Sequence, residues 1–479
     1  MANPSPTVQV DELSHELRWA DFGDERLSSR LASLVGALVA RPSLSFPKAL
    51  SPAELEAAYR FFDNPRVSPE QILQPHQEAT AERCAVQGRV RVLHDTTDVN
   101  YGPGKRKGLG RLLKGSEEGF KLHLSLAVGP GEAREPLGVL GVKTWVRDQP
   151  RKPKGGRRSV RGGNAKSEAQ RWIEQVRQSQ GRLRDGTEAV HVMDRESDSY
   201  ALLAQMQAEG MLFVARAAHD RVLALPPGQR VGRREKISAV LGRSAVLAER
   251  QVRLSRRVGR AGVKTRKIHP PREQRTARLA ISAEPIELPR TEYVSTALPA
   301  RLRLNVVRVA EVDAPADAKP VEWVLLTNQP IQTPDQVLAV VDDYRARWMI
   351  EEYFKALKSG CLIEERQLED IHNLLNALAT LIPVAWQLLR LRYIARSTPE
   401  AAATDVLTPT QLQVLRTVTD RPLGRNPTAG EAMLAVARLG GHLVHNGDPG
   451  WQSLGHGLQQ LLLLERGWIA ATSRRRITK

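Results

Sequence analysis

RVRVLHDTT (residues 89–97) and AVHVMDRESD (residues 189–198) share one construction: a short β-branched apolar run followed directly by an aspartate, Asp95 or Asp194. Runs of this kind read as buried strands. Acids at the strand ends of an α/β sheet can face one crevice, where open sheets place their sites. Either acid alone would serve as a cap or turn residue. LHLSLAV (122–128), residues 137–146 and residues 211–215 are further strand candidates, and Ser167–Gln180 and residues 199–210 read as helices. The order is three strands, helix, strand, helix, strand. It predicts an α/β or mixed sheet with helices on its faces.

A third acid belongs to a helix with a strong start: Thr333 at N-cap, Pro334 at N1 and Gln336 at N3, with Gly360 as its stop. Taking Tyr344 as zero at about 100° per residue, Arg347 falls near 300°, Glu351 near 340°, Lys355 near 20° and Lys358 near 320°. These five predict one polar stripe. Ile350, Phe354 and Leu357 form an apolar stripe beside it, and Glu352 falls near 80°, away from most of the polar stripe. The plain alternative is a Glu351–Lys355 pair on a solvated face, worth a few tenths of a kcal/mol.

The chain of 479 residues carries 71 Lys+Arg against 53 Asp+Glu, a net charge of +18 and a pI of about 10.2. This charge points to a polyanion, nucleic acid or an anionic membrane surface. Two basic stretches stand out. Arg151–Lys166 is rich in glycine, and the segment from Arg253 to Arg275 holds nine basic residues against one acid, Glu273. The second lies in a region from about Asp220 to Pro320 that reads as short alternating strands, a β insertion. Cys84 and Cys361 stand in no metal-ligand spacing, which excludes a disulfide framework or a zinc module. The amino terminus lacks a secretory pattern. Residues 374–391 are apolar but interrupted by Asn376, Pro383, Gln387 and Arg390, which predicts a buried helix and no membrane partner. A cytoplasmic protein is expected. Capping boxes at Ser51 and Ser68, and an amphipathic helix carrying Arg26 and Arg30 on one face, predict a helical amino-terminal unit. Taken locally, that arginine pair reads as a solvated face in preference to two cations offered to a phosphate backbone. Past about Asp370 the chain reads as helical, with one helix from Asp448 to Gly467.

Two strand-end aspartates and a helical glutamate make an oxygen-only site suited to Mg²⁺ or Mn²⁺. Clustered carboxylates repel, and a cation relieves that repulsion. Two ions could activate a water or 3′-hydroxyl and stabilise the leaving 3′-oxygen while Arg347, Lys355 and Lys358 hold the phosphodiester. This is in-line phosphoryl transfer on a nucleic-acid backbone.

The three acids stand 99 and 157 residues apart. Their motifs are DTT with Tyr101, DRExD over Asp194–Asp198, and Y-x-x-R-W-x-I-E-E-x-x-K-A-x-K-x-G over Tyr344–Gly360. With GDxRxxxRL (Gly23–Leu31), AYRFxxNPxVS (Ala58–Ser68) and ARLGG (Ala437–Gly441), the chain resembles the bacterial DDE transposases of cut-and-paste insertion sequences, the transposon-five branch above all. The resemblance implies an α/β fold: a ribonuclease-H-like mixed-sheet catalytic core (residues 76–369, with a β insertion at about 220–325). A helical DNA-end-binding domain (1–75) and a helical dimerisation domain (370–479) would flank it. Asp95, Asp194 and Glu351 would bind Mg²⁺, with Mn²⁺ as a substitute and two ions when DNA is bound. Tyr344, Arg347, Lys355, Lys358, Arg216, Arg26 and Arg30 match DNA-contacting positions. Trp323 matches an aromatic that stacks on a flipped base, or is a core residue of its strand; Trp348 matches a second tryptophan beside the signature. The partners would be double-stranded DNA, as inverted-repeat ends and target, and a second copy of the chain in a synaptic homodimer. Nicking, hairpin formation, hairpin opening and strand transfer would follow in order. His94 and Asp98 depart from the family pattern. A catalytically silent DNA-binding regulator and a structure-selective nuclease on the same fold are the alternatives.

Overall fold

The computed structural model describes residues 10–104, 106–112, 117–146, 168–225, 234–254, 273–316, 318–419, 423–443 and 449–477. Arg151–Lys166 and residues 255–272, the centre of the second basic stretch, lie outside them, as do Ser167 and Asp448. Helices α1 (Val10–Leu17), α2 (Glu25–Ala40), α3 (Phe46–Ala49), α4 (Pro52–Phe62) and α5 (Pro69–Gln87) come first. Both expected capping boxes form: Ser51 with Glu54 opens α4, and Ser68 with Gln71 opens α5. Strands β1 (Arg89–Pro103), β2 (Gly110–Arg111), β3 (Glu117–Val128) and β4 (Pro136–Trp145) follow. Next come α6 (Glu168–Gln180), β5 (Glu188–Met193), α7 (Tyr200–Ala208) and β6 (Leu212–Arg216).

After α8 (Ile237–Leu241), strands β7 (Ala248–Leu254), β8 (Arg275–Pro289), β9 (Arg301–Val312) and β10 (Glu322–Thr327) complete the sheet. The fold is mixed α/β around one large sheet in the order β2-β3-β1-β5-β6-β10-β9-β8-β7, with β4 on the other edge of β3. β1, β5 and β6 run parallel, and the remaining pairings are antiparallel. The β insertion therefore prolongs the sheet through β10 on β6. Its strands are not short: β8 has 15 residues and β9 has 12, paired along nearly their whole length.

Two further expectations change. β1 does not stop before Asp95. Its parallel ladder with β5 ends at His94↔Met193, but its antiparallel ladder with β3 continues through Asp95↔Leu124 to Pro103. Asp95 is thus mid-strand, at the point where β5 leaves and the sheet opens. The helix expected over 334–360 is in three pieces: α9 (Pro334–Ala346), α10 (Trp348–Lys355) and a π-helical turn, Ala356–Gly360. At the first junction Arg347 N–H donates to Tyr344 O (3.0 Å) and Ile350 N–H to Arg347 O (3.1 Å), three-residue bonds that tighten the turn and re-phase α10 against α9. The Thr333–Gln336 capping box opens α9 as expected.

The long α11 (Ile371–Ser397), α12 (Pro409–Val418), α13 (Ala429–Leu439) and α14 (Trp451–Ile477) close the chain. α11 is long and apolar enough to cross a membrane, and its apolar stretch is buried within the fold. α14 passes through Gly467, where a single helix was expected to end. Gly467 keeps a negative φ, and a helix-interior glycine costs only about 1 kcal/mol against alanine. One apolar core runs from Leu13 and Phe61 through Leu93 and Leu124 to Leu389 and Leu461, crossing both expected domain boundaries.

ARLGG has a packing reason here. A Cβ on Gly440 would stand 1.9 Å from Ser453 O, and one on Gly457 would stand 1.8 Å from Val436 O, so α13 and α14 touch backbone to backbone. Gly457→Ala is expected to lower unfolding free energy by about 2–3 kcal/mol through overpacking. Urea denaturation would measure it; an unchanged midpoint would show that the helices slide apart freely.

Candidate active site

Asp95 is carried by β1, Asp194 follows β5 directly, and Glu351 lies on α10. Asp194 caps the 3₁₀ turn Arg195–Ser197, accepting from Glu196 N–H at 2.8 Å. Asp95 Oδ1 accepts from Thr96 N–H at 2.8 Å. Its side chain is only 17% exposed. Burial, followed by the nearness of Asp194, pushes its pKa up to about 7; Arg347 and the Thr96 N–H oppose this, and Glu351 adds to it. The three acids thus feel one another's charge.

They do not form a closed ligand set. Among the described residues no three acidic, histidine or cysteine side chains gather tightly enough to hold an ion. Arg347 stands between two of the three, with Nη1 3.3 Å from Asp95 Oδ2 and Nη2 bonded to Glu351 Oε1. The donor chemistry nonetheless suits a hard divalent cation. All three groups are carboxylates, and Asp95 is short of positive charge to offset its burial.

The predicted polar stripe is divided. Tyr344 is 5% exposed and turned into the core, its ring edge-on to Trp323 with centroids 5.3 Å apart. Trp323, on β10, is half-buried against that core. Arg347 pairs with Glu351, so the Glu351–Lys355 pair does not form. Lys355 instead bonds Glu352 Oε1 at 2.6 Å and lies 4.7 Å above the ring of Trp348, which is 56% exposed. Lys358, in the π turn, reaches back to Asp98 O and to Glu364 Oε1 (3.0 Å). Arg216 ends β6 and donates to Glu322 O at 3.1 Å. Arg26 is exposed and pairs with Asp24 at 3.1 Å, one helical turn from the half-buried Arg30 on α2. Asp98 pairs with Lys121 at 2.5 Å. Asp198 is buried, bonds Arg221 at 2.6 Å and accepts the backbone N–H groups of Ala218 and His219, so it serves the scaffold.

Sequence reasoning missed the acids that hold this frame. Glu364 accepts from Asn100 N–H (3.0 Å) as well as Lys358, tying β1 to the end of the signature helix. Glu352 bonds Arg392 of α11. Their links to Asn100 and Arg392 have no local signal, because those partners come from distant segments. It missed also a buried chain of imidazoles behind Asp95. His94 Nε2 meets His191 Nδ1 at 2.9 Å, Ser125 Oγ meets His94 Nδ1 at 3.0 Å, and Thr96 Oγ1 meets His123 Nδ1 at 2.9 Å. Here a signal existed: each histidine interrupts an otherwise apolar strand.

Residues 11–67 match a family described as transposase DNA-binding, and residues 162–385 match a transposase DDE domain. The first segment includes Arg26 and Arg30, and the second includes Asp194 and Glu351; Asp95 lies between the two and joins them through β1. Among solved structures, the chain is similar to the cryo-EM structure of the piggyBac transposase synaptic complex with hairpin DNA. Identity is 10%, with 98% of this chain and 76% of that chain covered, at a TM-score of 0.32, too loose a superposition to carry an argument. The two matched segments make this chain a DNA-binding enzyme of the DDE transposase family.

Proposed function

We propose that this transposase excises and reinserts a bacterial insertion sequence through a 3′ nick, a hairpin, hairpin opening and strand transfer. The observation that carries the reading is Asp95: a largely buried carboxylate bridged to Glu351 by Arg347, its pKa raised to about 7 by burial and by the nearness of Asp194. Asp95, Asp194 and Glu351 would hold the divalent ions, Mg²⁺ or Mn²⁺ and two with DNA bound. Once bound, such ions polarise the phosphodiester and favour ionisation of the attacking hydroxyl. Arg347, which lies between Asp95 and Glu351, would offer its planar fork to the scissile phosphate. Lys358 and Lys355 hold flanking phosphates. The exposed ring of Trp348, and Trp323 if it leaves Tyr344, offer stacking faces for a base extruded at the hairpin bend.

In the same reading the core is ribonuclease-H-like over residues 76–369. Residues 1–75 bind transposon ends, with Arg26 and Arg30 on the backbone. Residues 370–479 pair two copies in the synaptic complex, and the protein acts in the cytoplasm. Incubation with Mg²⁺ and linear DNA carrying the element's own end is expected to yield nicked and hairpin products. Binding without cleavage would leave the silent regulator. Cleavage indifferent to the end sequence would leave the nuclease.

A further inference from the structure

The described arginines of the β insertion are largely neutralised by neighbouring carboxylates. Arg250 pairs with Asp342, Arg275 with Glu311, Arg278 with Glu249 and Asp313, and Arg308 with Glu322. The turn after the Asp95 strand is different. YGPGKRKGLGR, residues 101–111, carries Lys105, which lies outside the described residues, and Arg106, Lys107 and Arg111, none of which forms an ion pair among the described residues. Lys107 and Arg111 are exposed. Glu118 faces Arg111 across the β2–β3 ladder without bonding to it.

The described residues of the turn are held firmly. Arg106 Nη1 donates to Tyr101 O at 3.0 Å, and its guanidinium lies 5.3 Å over the Tyr101 ring. Lys107 N–H donates to Glu369 O (3.2 Å), and Lys107 O accepts from Ile371 N–H (3.0 Å). Gly108 has φ +85°, and a Cβ there would stand 2.5 Å from Ile371 Cγ2. Between this turn and Asp95, β1 is pinned by Asn100 N–H on Glu364 and Lys358 on Asp98 O. The described residues of the turn and Asp95 are therefore tied to the same neighbouring segments. Seven residues of strand at about 3.3 Å each separate Asp95 from Gly102, roughly 23 Å, or about seven base pairs of duplex.

We propose that the Gly102–Arg111 turn is a second grip on duplex DNA, clamping backbone phosphates about seven base pairs from the scissile bond. This rests on the transposase reading, under which one duplex passes over Asp95. A fixed, unneutralised cationic turn at that distance contributes sequence-independent affinity and sets the register of the cut.

The test is the salt dependence of binding to end DNA. Replacing Arg106, Lys107 and Arg111 together by alanine should lower the slope of log K against log salt by about 2.7, three phosphates at about 0.9 each. Between 50 and 200 mM salt, the unmodified protein should then lose roughly 40-fold more affinity than the variant. The charge-conserving set Arg106→Lys, Lys107→Arg, Arg111→Lys should keep the slope. Lys107→Ala alone, on an exposed side chain, should lower it by about 0.9 without endangering the fold. Arg278→Ala with Arg308→Ala should leave it unchanged. Unaltered slopes in the folded turn variants would overturn the grip while leaving the transposase reading intact. Failure of the unmodified protein to bind end DNA would overturn both.

Discussion

Asp95→Asn is expected to reduce DNA cleavage by about 10³-fold or more while leaving thermal stability unchanged or raised. The loss follows from charge: an amide cannot anchor a divalent cation, and such a cation contributes several kcal/mol at the reacting phosphate, each 1.36 kcal/mol being tenfold in rate. The stability result has the opposite sign for a separate reason. Burial and Asp194 raise the Asp95 pKa from 3.8 to about 7, so the folded chain holds this proton more tightly than the unfolded chain does. That contribution is fully present below pH 3.8 and is lost as pH rises through about 7. Asparagine has no such loss, so the variant's advantage in metal-free buffer should widen between about pH 4 and pH 7. Arg347 keeps Glu351 as a partner and is not stranded. Mg²⁺ should then raise the melting temperature of the unmodified protein alone, by the mass-action stabilisation of a bound ligand. Near-normal cleavage by the variant would sink the assignment of Asp95 to the reaction. A variant melting far lower at every pH would give Asp95 a scaffold role instead.

The acids of this site were legible because each sits in a context with its own physical signature. Asp95 and Asp194 follow β-branched runs, and Glu351 follows a helix start with Thr333, Pro334 and Gln336 in their favoured places. Strand identity, the mixed sheet and the buried character of α11 were readable from apolar patterning in the same way. The angular stripe around Glu351 failed because it assumed an unbroken 3.6-residue period. The tightened junction at Arg347 and the π turn at Ala356–Gly360 turn Tyr344 inward and send Lys358 back to Asp98. The Arg347 bridge between Asp95 and Glu351 depends on that junction and on a strand 252 residues away, so no local pattern announces it. Likewise, one-sided composition does not show that Arg275 is answered by Glu311 on the neighbouring strand. Extended ladders pair residues far apart in sequence, and charge runs are read without their partners.

Lowering the pH from 7.5 to 5 is expected to remove about 4 kcal/mol of unfolding free energy through two histidines alone. His123 and His191 are fully buried, and burial lowers both to about 3, with Lys143 adding to the effect on His123. His94 and His76 shift the same way, chiefly by burial. At pH 5 the folded rings stay neutral, whereas the unfolded rings, near 6.5, take up protons. Each ring then favours the unfolded chain by about 2 kcal/mol. The sign is that of a depressed base: stability is complete above about pH 6.5 and falls steadily below it. Asp95 works against this trend, because its raised pKa adds stability as pH drops below about 7. Urea denaturation at the two pH values is therefore best run on the Asp95→Asn protein, where that opposition is gone. There the full histidine effect should emerge, and His123→Leu should reduce the difference between the two pH values by about 2 kcal/mol. Equal unfolding free energies at the two pH values in the Asp95→Asn protein would mean that the imidazoles behind the Asp95 strand are already reached by solvent. The buried relay joining His94 to His191 would then not be a stable part of the fold.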